Sequence, residues 1–255
     1  MRISLNYISN ALGRAIDVQV VIPSPVYADT LPFQPAKPVY APKAKYPVIY
    51  LLHGVGNDGH SWLSYTQAEL FAEENNIAVV TFGAENKFDV NTGADRFEQL
   101  IEEELPEVLC GYFPISSRKE DTFLCGLSMG GYGALLNYLK KPARYGAVGI
   151  LSGAVEKYDY ANTEEGKAYN IYYLIARQKA DKVPFAPLYV ACGEDDFIRD
   201  NSLNLKKALE EAEIPFTWVS APGYGHEWRF WNEQLEKFIQ WLPRTDAFAG
   251  QTRRV

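Results

Sequence analysis

Ser128 stands in Gly126-Leu127-Ser128-Met129-Gly130, between the apolar run Phe123-Leu124-Cys125 and the small-residue stretch Gly131-Tyr132-Gly133-Ala134. The pattern G-x-S-x-G between a strand and a helix places a serine on a sharp turn. Its hydroxyl is held clear of the sheet edge, beside the free N–H groups and the positive dipole end of the next helix. That is the setting of an acyl-transfer nucleophile. Such a serine needs a base to take its proton, an acid to orient the base, and two N–H donors for the developing oxyanion.

The chain has only three histidines. His226 lies in Pro222-Gly223-Tyr224-Gly225-His226-Glu227-Trp228, a glycine-rich loop between the last strand pattern and the last helix pattern, and is the candidate base. His53 directly follows the strand Ile49-Tyr50-Leu51-Leu52, which suits a structural role under the next loop. His60, in Asp58-Gly59-His60-Ser61-Trp62, reads as a surface residue at a helix entry. In a Ser…Asp…His order the acid comes from a strand end between Ser128 and His226. Cys192-Gly193-Glu194-Asp195-Asp196-Phe197 offers three carboxylates there, and Phe197 with Ile198 suggests a loop folding back onto apolar surface. Asp196 is the choice and Asp195 the alternative. The two amide donors are expected from Met129, after the serine, and from Val55 in the His53-Gly54-Val55-Gly56 loop.

These residues must be positioned by strands and helices that alternate along the chain. Arg14 to Ile22 alternates like a half-buried strand, and Ile3 to Ile8 can pair with it as a hairpin. Pro23, Pro25, Pro32, Pro35, Pro38, Pro42 and Pro47 make the next stretch an extended surface loop. The short continuous apolar runs 48–52, 77–82, 122–125, 147–151 and 188–191 are the type buried on both faces of a parallel sheet, and 216–219 is the last strand. Amphipathic stripes on Phe97, Leu100, Ile101, Leu105 and Val108 (with Pro106 kinking or splitting the helix), on Leu205 to Ala212 and on Trp231 to Leu242 supply helices. The expectation is one α/β domain over residues 1–255, with a doubly wound, mostly parallel sheet, helices on both faces, and ligands at the carboxyl ends of the strands.

The net charge of −7 and the lack of a long basic run argue against nucleic acid or an anionic membrane surface as partner, and no apolar stretch has the length of a membrane span. No secretory signal is evident at the N-terminus. Cys110, Cys125 and Cys192 are odd in number and sit in apolar surroundings, which reads as reduced thiols in a cytoplasmic protein. Neither C-x-x-C nor H-E-x-x-H occurs, so no metal is expected.

In these stretches the chain resembles the esterase D branch of the α/β-hydrolases, nearest to the small tributyrin-esterase-like carboxylesterases. The matching pieces are Tyr50-Leu51-Leu52-His53-Gly54 with Ser61-Trp62, Glu103-Glu104-Leu105-Pro106, Phe113-Pro114, Gly126 to Ala134, Ser152-Gly153-Ala154, Cys192 to Phe197 and Gly225-His226-Glu227-Trp228. They run in order from Tyr50 to Trp241. The resemblance implies that the acid is the aspartate three residues after the strand-end glycine, which falls on Asp196. It also implies Val55 and Met129 as amide donors, a small-molecule ester as substrate, and no cofactor. The proline-rich stretch from Pro23 to Pro47 departs from the family pattern. Residues 155–187, with Tyr158, Tyr160, Tyr169, Tyr172 and Tyr173, fall where the fold commonly inserts a cap; Tyr158 and Tyr172, with Trp62 and Trp228, are the candidate pocket lining. The activity expected is hydrolysis of short acyl esters, including acetyl or feruloyl esters of sugars. An S-formylglutathione-type thioesterase is the alternative, followed by an acyltransferase or a non-catalytic binding protein; homo-oligomerisation is left open.

Overall fold

A computed structural model of the 255-residue chain describes residues 1–31, 38–157, 163–253 and 255. Eight strands form its main sheet: β1 (Arg2–Ser9), β2 (Arg14–Val21), β3 (Val48–Leu52), β4 (Ala78–Phe82), β5 (Thr122–Leu127), β6 (Ala147–Leu151), β7 (Leu188–Gly193) and β8 (Phe216–Ala221). Their spatial order is β1-β2-β4-β3-β5-β6-β7-β8. β1 pairs antiparallel with β2, and β2 antiparallel with β4; every other pairing is parallel, so β2 alone runs against the rest. Parallel strands need crossovers, and helices supply them.

The alternation within each strand divides the core. Val48, Tyr50 and Leu52 of β3 pack on one face with Leu124, Val148, Ile150 and Val190, under the helices α3 (Leu105–Tyr112), α4 (Met129–Lys140), α5 (Ile171–Ala180) and α6 (Arg199–Glu211). Ile49 and Leu51 face the other side with Phe123, Leu127, Leu151 and Ala191, under α1 (Ser61–Tyr65), α2 (Ala68–Asn75) and α7 (Trp228–Trp241). This is the doubly wound arrangement expected from the continuous apolar runs. The central strands β3 to β7 are buried along their whole length, whereas β1 alternates because it lies at an edge with one wet face.

The region around Pro106 folds differently from a simple kink. Leu100–Glu104 forms a π-helical turn that runs straight into α3, the Leu105 N–H donating to the Leu100 carbonyl, with Pro106 just past the junction. A two-stranded hairpin, Asn91–Thr92 with Asp95–Arg96, precedes it. Apart from residues 32–37, which lie outside the described residues, the proline-rich stretch is loop with one 3₁₀ turn at Tyr27–Thr30. Among the described residues no helix is long and apolar enough to cross a membrane.

Candidate active site

Ser128 joins β5 directly to α4 with φ 53° and ψ −115°, a left-handed backbone that a non-glycine residue adopts at a cost of about 1–3 kcal/mol. The surroundings hold it there. Its N–H donates to the Leu151 carbonyl (2.9 Å), and its own carbonyl accepts from the N–H groups of Gly131 (3.0 Å), Tyr132 (3.2 Å) and Ala154 (3.0 Å). The turn closes so tightly that a Cβ on Gly126 would stand 2.0 Å from the Gly130 carbonyl oxygen. Ser128 occupies the N-cap position of α4, yet its side chain makes no capping hydrogen bond. The hydroxyl is left for another partner.

Asp196 and His226 meet across loops that leave β7 and β8. His226 Nδ1 lies 3.0 Å from both Asp196 carboxylate oxygens. The two loops can approach because a Cβ on Gly193 would collide with the Tyr224 carbonyl oxygen at 2.2 Å; glycine alone fits. Asp195 N–H donates to that carbonyl (3.0 Å), which pins the pair of loops together. The two adjacent aspartates separate cleanly: Asp195 is exposed, whereas the Asp196 side chain is fully buried. Burial alone would raise the Asp196 pKa. Hydrogen bonds from His226 and from the Ile198 N–H (2.9 Å to Oδ1) outweigh it and hold the carboxyl below its ordinary range. A carboxylate so held is ionised at neutral pH and fixes the proton of His226 on Nδ1, leaving Nε2 as an acceptor.

The His226 ring lies between two aromatic groups, Phe197 at 4.6 Å between ring centroids and Trp231 edge-on at 4.9 Å. Phe197 is 81 % exposed, so it does not fold back onto apolar surface as the sequence suggested; it leans on the imidazole instead.

The loop after β3 completes the arrangement. His53 is buried, with Nδ1 2.8 Å from the Gly54 carbonyl and Nε2 accepting the Ala84 N–H at 2.8 Å. Both ring nitrogens are engaged and burial pushes its pKa down, so it is a neutral strut tying this loop to the loop after β4. Gly54 sits against the elbow, 3.3 Å from the Ser128 Cβ at the point where its own Cβ would be. Val55 is exposed beside it, and Met129 is buried at the start of α4. His60 is an exposed residue at the entry to α1, as its sequence context indicated.

The lining candidates divide. Trp228 is half-buried and stacked on exposed Tyr65 (5.1 Å). Trp62 is not a wall residue: it has no exposed surface, and its indole N–H donates to the Leu52 carbonyl (3.0 Å) inside the core. Tyr172, on α5, is partly buried with its hydroxyl 3.1 Å from Glu156 Oε1. Tyr158, with Tyr160, lies outside the described residues.

A serine elbow, a buried acid on an imidazole and a backbone turn beside the serine all sit at the carboxyl edge of one sheet, where this architecture places ligands. The Esterase family model matches residues 9–242. The chain belongs to the Esterase family. It is an α/β-hydrolase and a carboxylic ester hydrolase. Among proteins similar to this esterase, an acetyl esterase of Caldicellulosiruptor saccharolyticus is 29 % identical over 77 % of this chain and 83 % of its own. The S-formylglutathione hydrolase of Bos taurus is 28 % identical over 76 % and 81 %. A substrate-bound structure of serine hydrolase F, a fluorophosphonate-binding enzyme of Staphylococcus aureus, superposes with a TM-score of 0.82 at 23 % identity, covering 95 % of this chain and 98 % of that one.

Sequence reasoning missed two neighbours of the site. Trp231 packs edge-on against His226, and Tyr65 carries the Trp228 stack. Trp231 also donates its indole N–H to Ser152 of the Ser152-Gly153-Ala154 motif (3.2 Å), a contact between residues 79 apart in the chain.

Proposed function

We propose that this esterase is a serine carboxylesterase that hydrolyses short-chain acyl esters through an acyl-enzyme on Ser128. The observation that carries the reading is the symmetric contact of His226 Nδ1 with the buried Asp196 carboxylate, on the sheet edge that presents the Ser128 elbow. His226 Nε2 accepts the serine proton as Ser128 Oγ attacks the carbonyl carbon, and Asp196 stabilises the imidazolium that forms. The oxyanion is received by the N–H groups of Met129 and Val55; on the Val55 turn the Gly56 and Asn57 N–H groups are already engaged by Asn86 Oδ1 and the Gly54 carbonyl. Collapse of the tetrahedral species breaks the ester C–O bond as His226 returns its proton to the departing alcohol. Water, deprotonated by the same imidazole, then attacks the acyl-enzyme and releases the acid and free Ser128.

The substrate reading rests on the walls. The described residues between 155 and 187 act as a small cap on a single domain, with Tyr172 as a wall residue. Phe197, Trp228 and Tyr65 form an aromatic rim on the His226 side. Each methylene that enters a dry pocket contributes about 0.8 kcal/mol, so efficiency rises with acyl length only until the pocket ends. A tyrosine-rich wall serves acetyl to butyryl groups better than long chains. The relatives that are acetyl and S-formylglutathione esterases fit small acyl groups too. Turnover over affinity across a C2 to C12 nitrophenyl ester series, run beside S-formylglutathione, tests this. The expected optimum lies at C2 to C4. An optimum at C8 or longer contradicts the short-acyl reading, and a thioester preferred by orders of magnitude makes S-formylglutathione hydrolysis the activity.

A further inference from the structure

Two turns meet beside the serine elbow, one after β3 and one after β4. In the first, the Asn57 N–H donates to the Gly54 carbonyl (3.2 Å), and the third residue, Gly56, has φ 78° while Val55 stays outside the left-handed region. That is a type II turn, whose third position favours glycine. In the second, the Lys87 N–H donates to the Ala84 carbonyl (2.9 Å), with φ 49° at Glu85 and 59° at Asn86. That is a type I′ turn, which suits asparagine and strains glutamate. Ion pairs from the Glu85 carboxylate to Arg14 of β2 (2.6 Å) and to Lys87 (2.9 Å) hold it in place.

The polar groups of the first turn are committed one by one. The Gly54 carbonyl accepts from His53 Nδ1 (2.8 Å) as well as from Asn57, and the Val55 carbonyl accepts from Asn57 Nδ2 (3.2 Å). The Gly56 N–H donates across to Asn86 Oδ1 (2.7 Å). The Val55 N–H, read above as an oxyanion donor, has no hydrogen-bond partner among the described residues. The Val55–Gly56 peptide is therefore gripped at both ends, by Asn57 within the turn and by Asn86 from outside it. Glycine takes either sign of φ, so without the outer grip this peptide can rotate and convert the turn to type I. The rotation would release the Gly56 N–H and swing the Val55 carbonyl dipole, in a turn that has to receive negative charge.

We propose that Asn86 is a positioning residue for the oxyanion hole: by accepting the Gly56 N–H, it locks the turn after β3 in the form that presents the Val55 N–H alone. The proposal rests on the acyl-enzyme reading above and extends it to the loop after β4, which supplies no group to the reaction itself. Two consecutive non-glycine residues in left-handed backbone are the local cost of bringing that amide to the turn. Asn86 is exposed, and one hydrogen bond contributes only about 0.5–1.5 kcal/mol to stability, so deleting it leaves the fold in place and acts on the turn.

The test uses two substitutions that separate the amide from the backbone. Asn86→Gly and Asn86→Ala both delete the amide, but only glycine keeps the left-handed conformation without strain. Removing an oxyanion donor outright costs about 10²–10³ in kcat. Loosening one should cost less, about 5–30-fold on nitrophenyl butyrate in both variants, with KM changed less than about twofold. A trifluoromethyl ketone with a propyl chain gives the second readout. Ser128 Oγ adds to its carbonyl carbon, the serine proton passes to His226, and the carbonyl oxygen becomes an anion in the hole. Its Ki should rise by the factor by which kcat/KM falls. Ser128→Ala is measured alongside. If Ser128→Ala is inert while Asn86→Gly keeps the parent kcat and Ki, the acyl-enzyme stands and the positioning role is overturned. A loss confined to Asn86→Ala assigns the effect to backbone strain and overturns it too, as does a fall in kcat with Ki unchanged. If Ser128→Ala stays active, the acyl-enzyme reading fails and the proposal with it.

Discussion

Asp196 and Asp89 are both buried aspartates on loops that leave the carboxyl edge of the sheet, one after β7 and one after β4. Asp196 is ringed by donors and held below the ordinary carboxyl range. Asp89, at φ 58° in a loop with left-handed backbone also at Glu85, Asn86 and Phe88, has no hydrogen-bond partner on either oxygen, and burial pushes it up to about 8. Its carboxyl lies against Gly133 of α4, where a Cβ would come within 2.2 Å of Oδ2. Burial is common to both, so burial does not decide the charge. The donors decide it: with them a buried aspartate is a permanent anion that can serve an imidazole, and without them it is a neutral packing group at pH 7.

The largest expected difference is in turnover. Asp196→Asn keeps the shape but favours the wrong imidazole tautomer, and a loss on the order of 10⁴ in kcat is expected. Asp89→Asn should leave kcat within about threefold, since a neutral amide replaces a neutral acid of the same shape, and asparagine tolerates the left-handed backbone. A loss of 10²-fold or more in Asp89→Asn, measured on the same ester, would break the contrast.

Stability against pH gives the second difference, with opposite signs. Asp196 has a lowered pKa, so its stabilisation is present above the unfolded value near 4 and is lost as pH falls through its folded value. Asp89 has a raised pKa: between about pH 4 and 8 the unfolded chain is ionised while the native state holds the proton, so stability declines across that window, by at most about 1.4 kcal/mol per pH unit, and levels off above 8. Asp89→Asn should match the parent melting temperature near pH 4 and exceed it by more than about 3 °C at pH 8. A melting-temperature difference independent of pH would show that Asp89 is ionised in the native state.

The smallest expected effect belongs to Asp195. It is exposed, and it joins the site through its backbone N–H to the Tyr224 carbonyl. Asp195→Asn keeps that bond and should change kcat less than about threefold on any substrate that loses about 10⁴ with Asp196→Asn. Equal losses in the two variants would mean that the acid role is shared.

This ordering also marks how far the sequence was legible. The continuous apolar runs located the five parallel strands β3 to β7, because strands buried on both faces carry few polar residues. The glycine spacing around Ser128 located the elbow, because few other residues fit so close a backbone crossing. Asp195 and Asp196 are adjacent and chemically identical, and what separates them is burial, a property of how β7 and β8 bring their loops together. Trp62 and Phe197 were misplaced for the same reason. Each is next to a site loop in sequence, but Trp62 turns into the core to satisfy its N–H on Leu52, and Phe197 turns out onto His226. Asp89 carried no local signal, since its lack of partners arises only in the folded chain.

The account turns on Ser128 being the residue that His226 activates. Treating the enzyme with a fluorophosphonate and mapping the adduct by peptide mass spectrometry tests this most directly. The expected result is a single adduct on Ser128, absent in Ser128→Ala and formed far more slowly in Asp196→Asn, with the circular dichroism of both variants unchanged. Labelling at another residue, or full ester hydrolysis in the unlabelled Ser128→Ala variant, would contradict it.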